Sequence, residues 1–270
     1  MTLVASLALP PETTVEIVRV HQQLGADLQP PASSHLELDQ RLRQEATDQL
    51  EASERALAGA GRHVTSALKE GRPASVIVDE AHRVAADLVV VGSRGRGPVA
   101  STLLGSVAAE VVDHARCPVL IARGAAVTGV VLAEDGSEGA RKAEDVIARW
   151  PFLSGLSVCV VGVVDTAALG YDPTGYGGAG LAEMFEVLNG ACEQLAADGV
   201  VRLAARGVQA SREIRVGSIA FEIIDAARQA SADLIVVGSH GRAGIARLLL
   251  GSVARGVLQH APCSVLIVRE

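Results

Sequence analysis

Short runs that are apolar at nearly every position alternate along this chain with longer stretches in which apolar residues recur every three or four places. The first pattern predicts strands buried on both faces, the second helices that bury one stripe. In the second half the order is clear. Residues 130–133 read as a strand closed by a turn at Glu134, Asp135, Gly136 and Ser137, with Ser137 capping a helix that runs to Trp150. Strand 156–164, a Gly-rich loop from Gly170 to Gly180, helix 181–206 and strand 208–216 follow. Helix 219–230, strand 234–237, a glycine loop with a helix to His260, and strand 264–268 complete the series. Such alternation predicts an α/β fold, with a parallel sheet covered by helices on both faces and ligands at the carboxyl ends of its strands.

The chain then repeats itself. Residues 87–121 align without gaps to residues 233–267, offset by 146, with 22 of 35 positions identical; Cys117 meets Cys263 and His114 meets His260. A period this long makes each copy a domain rather than a solenoid repeat. We expect boundaries of 1–124 and 125–270. The first copy is predicted to hold strand 15–21, helix 34–57 with a Ser34–Glu37 capping box, strand 63–68 and helix 75–85. Its strand 15–21 matches the second strand of the other copy. The first strand and its acidic turn have no counterpart, and MTLVASLAL is at most a remnant of the first helix. That leaves a sheet defect, a liability unless covered, for instance by self-association.

Composition narrows the function. At net charge −7 with only 2% aromatic residues, the chain is a poor binder of nucleic acid or anionic membrane. Its apolar runs fall far short of the roughly 20 residues of a membrane span. Four cysteines without a CxxC pair, and an N-terminus with no basic residue before its apolar run, predict thiols in the cytoplasm.

The chemistry gathers in the repeated loop. Gly238 and Gly241 flank two residues, and nine more precede Gly251 and Ser252; the first copy has Gly92, Gly95, Gly105 and Ser106. Such a loop leaves a buried strand and enters a helix. Glycines let backbone N–H groups approach a ligand, and the helix start adds unpaired N–H groups and partial positive charge. Ser252 can cap the helix or donate to an anion, and Arg242 adds a formal charge, making a phosphate cradle. The glycines could also serve tight turns alone, but the same spacing in two copies favours the cradle. It is not a Walker A loop, for no Gly-Lys-Ser/Thr string occurs.

Gly-x2-Gly-x9-Gly-Ser after a strand, present twice, with Asp135-Gly136-Ser137 ending an earlier strand, resembles the universal stress protein family over essentially the whole chain. That resemblance implies five-stranded parallel sheets of order 3-2-1-4-5, here two in tandem with the first lacking its first strand. It also implies ATP binding in one subgroup of the family, here with ATP and Mg²⁺ as the expected ligand. Asp135 would lie at the ribose and adjoining nucleotide. Val163 would offer backbone hydrogen bonds to adenine, and Gly238, Gly241, Arg242, Gly251, Ser252 and Val253 would hold ribose and phosphates. In the first copy Val20, Gly92, Gly95, Arg96, Gly105, Ser106 and Val107 match, without an aspartate partner.

Glu134 departs from the family, which places a small or apolar residue there. Facing the pocket it would repel ATP unless Mg²⁺ intervened; we expect it to face away. Gly175, Gly177 and Gly180 spell GxGxxG, but about ten residues after the strand, whereas a dinucleotide fingerprint joins strand to helix directly. His240 lies inside the loop opposite Arg94 of the other copy, which suits a polar loop residue. His114 and His260 near helix ends suit the helix dipole. The expected function is an ATP-binding regulatory protein of the stress response, not an enzyme, its two domains paired like a dimer within one chain, with a homodimer beyond that. The alternatives are a nucleotide-independent protein-interaction scaffold and a slow ATPase or phosphotransferase.

Overall fold

The computed structural model describes residues 2–22, 32–59, 61–93, 104–167, 179–241 and 250–269. The first copy comprises α1 (Thr2–Ser6), β1 (Thr14–His21), α2 (Ala32–Ala58), β2 (His63–Glu70), α3 (Pro73–Arg83), β3 (Val89–Gly92), α4 (Ser106–His114) and β4 (Val119–Ala122). The second comprises β5 (Gly129–Ala133), α5 (Glu138–Arg149), β6 (Ser157–Asp165), α6 (Ala179–Ala204), β7 (Ala210–Gly217), α7 (Ile219–Gln229), β8 (Leu234–Gly238), α8 (Ser252–His260) and β9 (Ser264–Val268). α2 spans Ala32–Ala58, so Ser34 falls within the helix rather than at the expected position just before it.

The strands form one seven-stranded sheet, ordered β3-β4-β9-β8-β5-β6-β7, and a separate two-stranded sheet, β1-β2. All pairs are parallel except β4 with β9. Within the large sheet the second copy's strands lie in the order β7-β6-β5-β8-β9, its third, second, first, fourth and fifth. The expectation of two tandem sheets, the first short of one strand, is corrected, because β4 and β3 of the first copy extend the second copy's sheet while β1 and β2 stand apart. β4 and β9 each end a copy with an unpaired edge, and antiparallel pairing satisfies both. Their register sets Leu120 opposite Leu266, equivalent residues of the two copies. The Arg123 guanidinium donates to the Leu258 carbonyl and that of Arg269 to the Val112 carbonyl, the same bond made twice with roles exchanged.

Among the described residues no strand joins β1 of the small sheet to β3 at the edge of the large one. The effect on packing is visible by comparing equivalent positions. Val158, Val160 and Val161 of β6 are buried, whereas Val15, Ile17 and Val18 of β1 are only half-buried. Ile223, Ile224 and Ala227 of α7 are buried, whereas Ile77, Val78 and Ala81 of α3 are partly buried. Two apolar cores cover the faces of the large sheet, one including residues of α4, α7 and α8, the other including residues of α5 and α6 together with Leu3 and Leu7 around α1. The N-terminal segment is held by Ser6 Oγ donating 2.8 Å to the Ala125 carbonyl and by Arg62 donating to the Leu7 and Leu9 carbonyls.

Candidate functional site

The β5–α5 turn and the loop after β8 meet at the carboxyl end of the sheet. Gly136 takes a φ of 78°, the left-handed region that favours glycine. The Ser137 N–H donates 2.9 Å to Asp135 Oδ1, and Ser137 Oγ accepts 3.1 Å from the Ala140 N–H, capping α5 as expected. Asp135 lies against the loop: a Cβ on Gly241 would stand 2.8 Å from its Oδ2. A Cβ on Gly238 would stand 2.7 Å from the Gly139 carbonyl carbon, so this glycine has a packing reason of its own, the close approach of β8 to the first turn of α5.

The loop then returns to α8. Ser239 N–H donates 2.8 Å to the Val268 carbonyl, and Gly251 N–H donates 2.8 Å to the Ser239 carbonyl. Gly251 is the N-cap residue, without a side-chain cap, and Ser252 and Val253 open the helix, where N–H groups have no intrahelical partner. Ser239 Oγ lies 3.1 Å from His240 Nδ1. Arg242 lies outside the described residues.

Val163 completes the crevice through its backbone. β5 stops at Ala133, paired with Val161, and the Val161 carbonyl accepts 2.9 Å from the Glu134 N–H. Backbone groups of a strand alternate sides with a period of two, so the N–H and C=O of Val163 face the same side as those of Val161, beyond the last paired residue of β5. An edge-on donor–acceptor pair at that place suits the rim of a nucleobase.

The first copy repeats part of this. Ser93 N–H donates 3.2 Å to the Ala122 carbonyl, and Gly105 N–H donates 2.9 Å to the Ser93 carbonyl, the same two bonds 146 residues earlier. Gly92 ends β3, and Gly105, Ser106 and Val107 open α4. Gly95 and Arg96 lie outside the described residues, as do Gly175 and Gly177. Val20 lies near the end of β1, paired on one side with β2. His114 and His260 each donate from Nδ1 to the carbonyl four residues back, at 2.8 and 2.9 Å, as structural residues of helix ends. None of the cysteines forms a disulfide.

Glu134 turns away from the crevice, toward α5 and α6. It is buried, and its Oε1 accepts 2.6 Å from the Gly136 N–H. Beside it, Arg202 of α6 donates twice to Glu144 of α5, at 2.7 Å each, and stands 3.6 Å from Glu134 Oε2. Burial, with the neighbouring Glu144, pushes the Glu134 carboxyl up to about 8. The sequence reading missed Glu144 and Arg202. The signal was there: Glu144 falls within the buried stripe of Ala140, Ala143 and Ile147, where an acid needs a partner.

Open parallel sheets with glycine loops at their carboxyl edge define a class of α/β binding folds. A family model described as the universal stress protein family matches residues 2–123 and again 128–269, and this chain belongs to that family as a tandem member. A universal stress protein of Mycobacterium tuberculosis is 29% identical over 204 residues, covering 68% of this chain and 62% of that protein. One from Mycolicibacterium smegmatis is 28% identical over 227 residues, covering 77% of this chain and 70% of its own length. The match to the Mycobacterium tuberculosis relative thus spans less than two thirds of its length. The crystal structure of a universal stress protein from Archaeoglobus fulgidus shares the fold, with a TM-score of 0.64 and 19% identity over 95% of this chain and 86% of that one. Among the described residues no helix is long and apolar enough to cross a membrane, and no group of three metal-ligating side chains occurs.

Proposed function

We propose that this chain is a regulatory protein of the stress response that binds ATP in its second copy. The observation that carries the reading is the convergence at one sheet edge of three features. These are the outward backbone pair of Val163, the Asp135 carboxylate against Gly241, and the start of α8 at Gly251, Ser252 and Val253. Each suits a different part of a nucleotide: base edge, ribose hydroxyls and phosphates. Mg²⁺ accompanying ATP would reduce the phosphate charge that an acidic chain repels.

Binding rather than turnover is the better reading. Asp135 is engaged with its own turn, and Glu134 is buried on the far side, so neither is placed as a general base toward the crevice. The first copy has the loop but not the aspartate turn, and we assign it an auxiliary role, joined to the second through β4 and β9. The test is to denature the purified protein, quantify released nucleotide, and titrate the emptied protein with Mg-ATP. One ATP per chain is expected. No binding heat and no thermal shift would remove the reading and leave an interaction scaffold.

A further inference from the structure

The cluster behind the Asp135 turn has an imbalance of charge. Two carboxyl groups, Glu134 and Glu144, are buried and share a single guanidinium, Arg202. Arg202 spends its paired donors on Glu144. Glu134 Oε2 has no hydrogen-bond partner among the described residues, although its side chain is wholly buried. A Cβ on Gly199 of α6 would lie 3.4 Å from Glu134 Oε2 and 3.2 Å from Glu144 Oε1, so the two oxygens converge on one spot. An unpaired anion there is costly, whereas a proton on Oε2 turns an orphan acceptor into a donor toward Glu144. The remaining charges, Glu144 and Arg202, then balance. Facing this group are Glu144 from α5 and Arg202 from α6, with Asp198 beyond Arg202 on the same helix and Asp135 next in the chain.

We infer that Glu134 is a positioning residue for the ligand site: in its protonated form it is pinned to Glu144 and holds the Gly136 N–H, and so fixes the turn that presents Asp135. Loss of the proton sets two buried carboxylates against one arginine, loosens the turn and weakens nucleotide binding. The inference rests on the proposed function for its ligand, but the proton itself can be observed without ligand. Burial places its loss near neutral to mildly alkaline pH, far above an ordinary glutamate.

The experiment has two arms. In nucleotide-free full-length protein, the ¹³C carboxyl shift of Glu134 is followed from pH 4 to 10. A midpoint several units above that of exposed glutamates is expected; a midpoint near 4.5 overturns the inference. In the second arm, Mg-ATP affinity is measured from pH 6.5 to 9.5 for the wild type, Glu134→Gln and Glu134→Ala. The wild type should weaken about tenfold more than Glu134→Gln across that range. The amide of Glu134→Gln accepts from Gly136 and donates to Glu144 at every pH, so it should rescue binding that Glu134→Ala weakens throughout. Identical pH profiles for wild type and Glu134→Gln overturn the inference. Absence of ATP binding in all three proteins with a raised carboxyl midpoint would overturn the nucleotide role of the residue and the proposed function together, while the buried proton would stand.

Discussion

Helix α6 carries two glycines whose replacement by alanine should have opposite consequences. Gly190 is exposed in mid-helix, and a Cβ there meets nothing within 4 Å. Alanine at that site restricts the unfolded chain and favours the helix by about 1 kcal/mol. Gly199 offers the same gain in the same helix, but its Cβ would stand 3.2 Å from Glu144 Oε1, 3.3 Å from Val160 Cγ1 and 3.4 Å from Glu134 Oε2. Glu144 cannot easily give, because Arg202 grips it at 2.7 Å twice. Overpacking of this kind costs about 1–3 kcal/mol. Gly190→Ala should therefore raise the melting temperature by about 2–4 °C. Gly199→Ala should leave it unchanged or lower it, separating the two by about 2–12 °C. Circular dichroism melts of the two single variants, checked by urea midpoints, measure the difference. Equal stabilisation by both would refute the packing of α6 onto the Glu134–Glu144 pair, and with it the basis for a buried proton there.

Three further outcomes are expected. Gly238→Ala drives a Cβ to 2.7–2.8 Å from the Gly139 backbone, which has no flexible atom to yield, and should cost about 1–3 kcal/mol by urea unfolding. Wild-type stability without the strain would contradict the packing of β8 on α5. Hydrogen exchange should be faster in β1 and β2 than in β5, β6 and β8, since Val15, Ile17 and Val18 lack the cover that Val158, Val160 and Val161 have; uniform protection would oppose this. Stability should also depend on pH through Glu134. Its folded carboxyl holds a proton up to about 8, while the unfolded one releases it near 4.5. The folded state therefore binds the extra proton across that window, and stability falls as pH rises through it, by up to about 1.4 kcal/mol per pH unit. Melts at intervals from pH 5 to 9 should show a downward slope in wild type relative to Glu134→Gln, and parallel curves would refute it.

Much of this molecule was legible before its structure. The second copy's strands other than β7, which has a polar face, are apolar on both faces, so they stood out against the amphipathic helices, and Ser264–Val268 falls where the pattern put it. The Asp-Gly-Ser turn and the glycine spacing named loops that do meet in space, Asp135 against Gly241. What the pattern could not hold was the joining of sheets. Whether β4 and β9 stay as two edges or pair is decided by tertiary contact, through residues such as Arg123 and Arg269 whose local sequence says nothing of a partner 135 or 157 residues away. The Glu134–Glu144–Arg202 cluster was hidden for the same reason, because its members come from a strand end and two helices. Gly238 shows the reverse case. Its place in the spacing suggested a ligand, and the structure gives it a duty to Gly139 as well.

The proposed site in the second copy would hold one adenine nucleotide at the edge defined by Asp135, Val163 and the start of α8. The most direct test is calorimetric titration of the nucleotide-stripped chain with Mg-ATP, in wild type and in Gly241→Val, whose side chain would occupy the space beside Asp135. One site per chain is expected in the wild type, and its loss in a folded Gly241→Val protein. Binding undiminished by that substitution, or no binding in the wild type, would contradict it.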